Sequence, residues 1–172
     1  MVVLASDHGE QLGEMHNFPG EFPKSFGHYG NPSFQEQLRI PLIVAPARGG
    51  DPGRFLRTQD LFGLLLEIAG VQRAPSSDLE PDEHYIGEAR YRTYRKGRWK
   101  SFVRRSDGRH FVYDLEADPL EKNDVAAQNP AVMADHSERI EQLSRSLAAS
   151  GVPQRELSEG ERERLRALGY ID

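Results

Sequence analysis

A chain of 172 residues with 37% hydrophobic residues and a mean hydropathy of -0.66 has room for one ordinary domain with a lean core, since small domains bury proportionally less of their surface. Its net charge of -5, from 22 basic and 27 acidic residues, argues against a nucleic-acid binder, which carries a basic excess. No cysteine is present, so there is no disulfide framework to report a redox compartment, and no apolar run approaches the ~20 residues of a membrane span.

Met1 runs directly into a short apolar segment with no basic n-region, so no signal peptide is legible and any export signal would lie upstream. The segment 2–5, Val-Val-Leu-Ala, reads as a buried strand, parallel and central in its sheet. Residues 6–32 are polar and rich in Gly and His, without periodicity, and loops of that length in compact domains are usually functional. A helix-like segment, 33–38, leads through Arg39 to a second apolar run, 40–45, and Gly49, Gly50, Pro52 and Gly53 make a turn. Thr58 is placed to cap a helix over 59–69, in which Leu61, Leu64, Leu65 and Ile68 share one face, and Gly70 stops it. Strand, long loop, strand and helix make a piece of an α/β sheet, with the loop at the strand end where such sheets place their ligands.

Residues 72–83 are Pro-, Ser- and acid-rich and read as a linker. Three strands are predicted next, over 85–94, 98–104 and 110–115, joined at Lys96-Gly97 and Asp107-Gly108, both hairpin turn signals. The basic residues that cluster over 90–109 are interrupted by tyrosines and a tryptophan and read as a solvated strand face. Asn129-Pro130 starts a helix that runs to about residue 149, and Ser158 with Glu161 forms a capping box for a last short helix ending near Leu168-Gly169. The expected division is an α/β portion over 1–71, a linker over 72–83, and a small antiparallel sheet with packed helices over 84–172.

The most informative residues for chemistry are Ser6-Asp7-His8-Gly9-Glu10, directly after the first strand. An Asp-His pair at a strand end offers an oxygen and a nitrogen ligand to one crevice. Two adjacent ligands do not close a metal site, so further ligands must come from elsewhere. Taken alone the pair is a weak signal and reads first as turn chemistry, in which Asp, His and Gly are common.

The segment continues Gln11-Leu12-Gly13-Glu14-Met15-His16, then Gly27-His28-Tyr29-Gly30, then Phe34-Gln35-Glu36-Gln37-Leu38-Arg39-Ile40-Pro41-Leu42-Ile43-Val44. Asp60-Leu61 and Ile68-Ala69-Gly70 follow, then Arg98-Trp99-Lys100, Phe111-Val112-Tyr113-Asp114-Leu115, Asp118-Pro119-Leu120-Glu121-Lys122-Asn123 and the tail Leu165-Arg166-Ala167-Leu168-Gly169-Tyr170-Ile171. In order and spacing these segments, which span most of the chain, resemble the C-terminal portion of the sulfatase family of the alkaline-phosphatase-like superfamily. The departures are an inserted Met15, Gln35 where Glu is frequent, and no proline in the helix around Leu61.

The resemblance implies a partial alkaline-phosphatase-like α/β sheet followed by an antiparallel subdomain, and metal-dependent hydrolysis of sulfuric esters. Asp7 and His8 would be ligands of one divalent cation, calcium first, with magnesium, manganese or zinc as alternatives. His16 and His28 would contact the sulfate and assist the leaving oxygen. Lys24 is a further candidate for an oxygen contact, against the plainer reading of a solvated loop lysine. The physical need is charge stabilisation: ester cleavage concentrates negative charge on the transferred group and the leaving alkoxide. A histidine can also donate the proton. Tyr113, Asp114, Asp118 and Asn123 read as turn and packing residues.

The family's formylglycine nucleophile, made from Cys or Ser in a Cys/Ser-x-Pro-Ser/Ala-x-Arg-like motif, is expected upstream, as is an Asp-Asp pair of metal ligands. Neither occurs in this sequence. The implied partners are a sulfate-ester small molecule or glycan and the missing N-terminal half of the enzyme. A first strand deprived of its neighbours would show unpaired edges and exposed apolar surface. Three readings follow: a fragment of a sulfuric ester hydrolase whose isolated chain is inactive, an inactive remnant or metal- or partner-binding module, and a phosphonate or phosphate ester hydrolase of the same superfamily.

Overall fold

The fold was analysed in a computed structural model that describes residues 2–14, 26–27, 34–45, 57–71, 79–80, 82–87, 90–149 and 157–167. Its centre is an antiparallel sheet of four strands in sequential order: β5 (Glu83–Gly87), β6 (Tyr91–Lys96), β7 (Trp99–Arg104) and β8 (His110–Asp114). The earlier strands are β1 (Val2–Ala5), β2 (Gln11–Leu12), β3 (Phe26–Gly27) and β4 (Leu42–Ala45). The helices are α1 (Gln35–Leu38), α2 (Leu61–Ile68), α3 (Pro130–Ala149) and α4 (Glu159–Ala167).

Both hairpin turns foreseen from the sequence are present. Gly97 at φ 55° and Gly108 at φ 71° take the left-handed conformation that a Cβ would penalise. The run 85–94, expected as one strand, is instead two paired strands, with Tyr85 opposite Tyr94 and Ile86 opposite Thr93. Gly87, a weak strand former followed in sequence by Glu88 and Ala89, ends β5 and marks the break. Glu83, assigned to the linker by its acidic neighbours, is the first residue of β5 and is buried.

Side-chain alternation gives this sheet two covered faces. The cross-strand row Tyr85, Tyr94, Ser101, Val112 looks one way. Tyr94 there packs with Ile140 and Leu143 of α3, flanked by Tyr85 and Val103. The helix buries His136, Ile140 and Leu143, one stripe at i, i+4, i+7. On the opposite face Phe102, Phe111, Tyr91 and Tyr113 enclose Phe34, which meets the Phe102 ring edge-on at 5.2 Å. Burial of each such aromatic contributes roughly 1.5–3 kcal/mol.

Polar groups fix how the layers dock. Glu83 accepts hydrogen bonds from the Tyr94 hydroxyl at 2.6 Å and from Arg139 of α3 at 2.7 Å. Burial raises its pKa, but the bonds from Arg139 and Tyr94 outweigh that and hold the carboxyl at about 2. His136 lies 2.7 Å from Ser101 through Nδ1 and meets the Tyr94 ring edge-on at 4.7 Å. Asp114 pairs with Arg98 and accepts the N–H of Glu116, while Asp118 accepts the Asn123 N–H at 2.7 Å, so these are turn residues as the sequence suggests.

The basic run 90–109 is not uniformly solvated. Lys100 is fully buried and its Nζ lies 2.6 Å from Oε1 of Glu121, itself fully buried. The other carboxylate oxygen, Oε2, accepts the backbone N–H of Gln35 at 2.6 Å, so one side chain joins the sheet to α1.

β1 departs from the sequence reading. It pairs antiparallel with β4, Val3 opposite Val44 and Leu4 opposite Ile43, in a two-stranded sheet. Among the described residues it is neither central nor buried: Val2 is 67% exposed, Leu4 58% and Ile43 55%. An apolar run specifies a strand but not the direction of its neighbour or what covers it. The exposed apolar surface itself was expected. Ahead of α2 lies a 3-10 turn, Thr58–Asp60, whose cap is Arg57 rather than Thr58. The Arg57 N–H and Nε both donate to Asp60 Oδ2, and Gly70 at φ 77° ends the segment.

Two expectations follow. Lys100→Met strands a buried carboxylate and costs about 3–5 kcal/mol of unfolding free energy. Adding Glu121→Gln, which keeps an acceptor for Gln35, restores more than about 1 kcal/mol in urea denaturation. The second concerns pH. Burial pushes His136 and His84 from 6.5 to about 4, the latter helped by Lys100. The folded chain therefore holds them neutral while the unfolded chain protonates them, and stability falls as pH drops from 6.5 towards 4. Glu83 extends the loss below 4.5. Urea midpoints recorded across this range check the slope, and His136→Gln flattens it.

Candidate functional site

β1 delivers the chain at Ala5 into Ser6-Asp7-His8-Gly9-Glu10. The segment is clamped at Gly9, whose N–H donates to the Gln37 carbonyl of α1 at 2.7 Å. A Cβ at this position would lie 2.0 Å from the Glu36 carbonyl oxygen and 2.9 Å from that of Arg39, so only glycine fits against the end of α1. After the site the chain turns back through Gly13 at φ 118°, with Leu12 N–H donating to the Glu14 carboxylate. β2 then pairs with β3, Gln11 opposite Gly27 and Leu12 opposite Phe26.

The two candidate ligands sit side by side. The Asp7 side chain is 88% exposed and that of His8 44%, and His8 Nε2 lies 3.8 Å from Asp7 Oδ1. His8 Nδ1 is 2.8 Å from the Gly9 carbonyl oxygen. A carbonyl oxygen only accepts, so Nδ1 carries the proton. In the neutral ring the lone pair is then on Nε2, the nitrogen beside Asp7. Metal-ligating histidines typically donate their other ring N–H to a backbone carbonyl or carboxylate in this way. Ligands about 2.0–2.6 Å from one ion, in ordinary tetrahedral to octahedral arrangements, lie about 3–4 Å from each other, which the observed separation fits. The Asp7 carboxylate also accepts the His8 N–H at 3.1 Å, which holds its Oδ1 towards the ring.

Asp7 and His8 are thus brought together. His16, Lys24 and His28 lie outside the described residues. Among the described residues no group of three or more His, Cys, Asp or Glu forms a cation cage. Sequence reasoning singled out neither the clamp at Gly9 nor the Lys100–Glu121 pair behind α1. The available signal was Lys100 itself, a charged residue at the same strand parity as the buried Phe102.

The histidine–hydroxyl pair His136 with Ser101 is not a nucleophile–base arrangement. The Ser101 side chain is fully buried beneath α3, out of reach of any substrate. A shallow cavity of about 270 Å³ beside it is lined by Lys96, Trp99, Ala131, Val132, Asp135 and His136, and its walls are mainly apolar.

No protein-family model matches the chain, and no curated protein does. Solved structures do match. The fold is sulfatase-like: a mixed α/β chain with a four-stranded antiparallel sheet and packed helices. In particular it aligns with a crystal structure of a protein assigned as a sulfatase from Bacteroides thetaiotaomicron VPI-5482, at TM-score 0.56 and 15% identity over 80% of this chain. It also aligns with BT4656, solved in complex with its substrate D-glucosamine-2-N,6-O-disulfate, at TM-score 0.57 and 18% identity over 90% of this chain. The chain spans 36% of the length of each. At these identities the likeness establishes the fold. No helix among the described residues is long and apolar enough to cross a membrane.

Proposed function

We propose that this chain carries the Asp-His part of the metal centre of a sulfuric ester hydrolase. The observation that supports it is the His8 ring, held through Nδ1 on the Gly9 carbonyl with Nε2 turned to Asp7, within a sulfatase-like fold. Asp7 gives a hard carboxylate oxygen and His8 a neutral imidazole nitrogen. That set suits calcium with additional oxygen ligands, and also magnesium, manganese or zinc. When bound, the cation supplies Lewis-acid stabilisation of the ester oxygens.

In this reading His16 and His28 orient the sulfate group and hold the proton that the leaving oxygen takes, and Lys24 adds an oxygen contact. The chain has no cysteine, and the formylglycine nucleophile belongs to polypeptide beyond these 172 residues. The α/β portion over 1–71 is then a piece of an alkaline-phosphatase-like sheet, the segment 72–83 a linker, and the remainder the C-terminal subdomain. The substrate class is a sulfate ester of a small molecule or glycan, in keeping with the sulfated amino sugar that BT4656 binds. Phosphate or phosphonate esters are the rival within the same chemistry. The second reading, a cation- or partner-binding module without turnover, draws on the two-donor set among the described residues.

Calorimetric titration of calcium and of manganese into the chain tests the metal assignment. Asp7→Asn and His8→Gln are each expected to weaken binding at least about tenfold, and affinity unchanged in both sinks the reading. The purified chain alone is expected not to hydrolyse 4-nitrophenyl sulfate with either cation present. Turnover that copurifies with the chain and disappears in Asp7→Asn would show that the nucleophile lies within these residues.

A further inference from the structure

We infer that Glu121 is a positioning residue for the Asp7–His8 pair, acting across the fold through α1; this rests on the reading of that pair as the cation-binding one. The connection is continuous. Lys100 Nζ holds Glu121 Oε1 at 2.6 Å, and Glu121 Oε2 accepts the Gln35 N–H at 2.6 Å. Gln35 opens α1, and the Gln37 carbonyl near its other end accepts the Gly9 N–H at 2.7 Å. Gly9 in turn supplies the carbonyl that fixes the His8 ring.

Helix α1 has little to hold it in place by itself. It is four residues long, and its N-cap residue, Phe34, makes no side-chain cap hydrogen bond. A single turn is unstable in isolation. The capping carboxylate comes instead from a residue 86 positions away in sequence. Phe34, immediately before α1, adds the second anchor by its edge-on contact with Phe102.

Glu121 itself is held in an unfavourable conformation. At φ 51° it is the one non-glycine residue with positive φ among the described residues, in a region that Gly or Asn enters more readily. Strain of this kind persists where the surroundings over-determine a side chain's placement. Here the carboxylate is fully buried and shared between an ammonium and the start of a helix. A residue that served packing alone has no need of both oxygens.

The test compares variants by amide hydrogen exchange, with manganese affinity as a parallel readout. In Glu121→Ala the Gly9 amide is expected to exchange at least about tenfold faster, while α3 amides near Ile140 and Leu143 change less than about threefold. Manganese affinity is expected to fall by about tenfold. Unchanged Gly9 exchange with α3 intact overturns the inference. Should Glu121→Ala lose α3 protection too, Glu121→Gln is compared with Lys100→Met/Glu121→Leu, which removes the buried charges and the acceptor for Gln35. Faster Gly9 exchange in the Leu variant upholds the inference, and equal exchange overturns it. Gly9→Ala, which leaves Lys100 and Glu121 untouched, is expected to lose manganese affinity with α3 unaffected. Should the unsubstituted chain bind no manganese, the metal reading fails, and Gly9 exchange still decides the positioning role.

Discussion

The arrangement of this chain depends on one buried ion pair, Lys100 with Glu121. Removing two charges from water costs several kcal/mol per ion, and the pair is tolerable only because its geometry is close and its second oxygen is used. Burial pushes the Lys100 ammonium towards lower pKa, and Glu121, with Glu36 behind it, opposes that. Apolar residues of similar volume could fill the space at comparable stability. What they could not do is accept the Gln35 N–H and so dictate where α1 sits.

The sheet that carries Lys100 divides its work between faces. The α3 side is secured by Glu83, Tyr94 and Arg139 around an aromatic and aliphatic stripe. The other side carries the cross-strand row His84, Arg95, Lys100 and Tyr113, three of which can bear positive charge. Burial and the fields of neighbouring cations, Lys100 and Arg95 among them, keep His84 neutral, so the row is tolerated through the uncharged imidazole as well as through Glu121. On the same face Phe34 packs into the aromatic cluster of Tyr91, Phe102, Phe111 and Tyr113, and the N–H of the next residue, Gln35, reaches Glu121.

Local features were legible in the sequence and long-range ones were not. Gly97, Gly108 and Asn129-Pro130 act through the backbone conformation of their own neighbours, so the hairpin turns and the start of α3 follow from residue type. The division of 85–94 into two strands had a local mark in Gly87, a weak strand former that ends β5, which the flanking tyrosines outweighed in the sequence reading. The antiparallel β1–β4 pairing and the buried state of Lys100 depend on what lies opposite, which no local pattern encodes. At the site, the ligand types of Asp7 and His8 could be read directly. The protonated ring nitrogen could not, because it depends on where the Gly9 carbonyl points, and that depends on α1. His16, Lys24 and His28 rest on family resemblance together with their residue type.

The separation between Gln35 and Glu121 has a consequence for the order of events during synthesis. Asp7 and His8 leave the ribosome before β5 to β8 do, yet the carboxylate that caps α1 is made 86 residues after the helix it caps. A one-turn helix does not persist without its cap, and closing so long a loop precedes the gain from the contact. The hairpins of β5 to β8, built from near neighbours in sequence, can form while α1 is still fluctuating. The order in which these segments are made is therefore reversed in folding: Asp7 and His8, synthesised ahead of the sheet, become organised only after it.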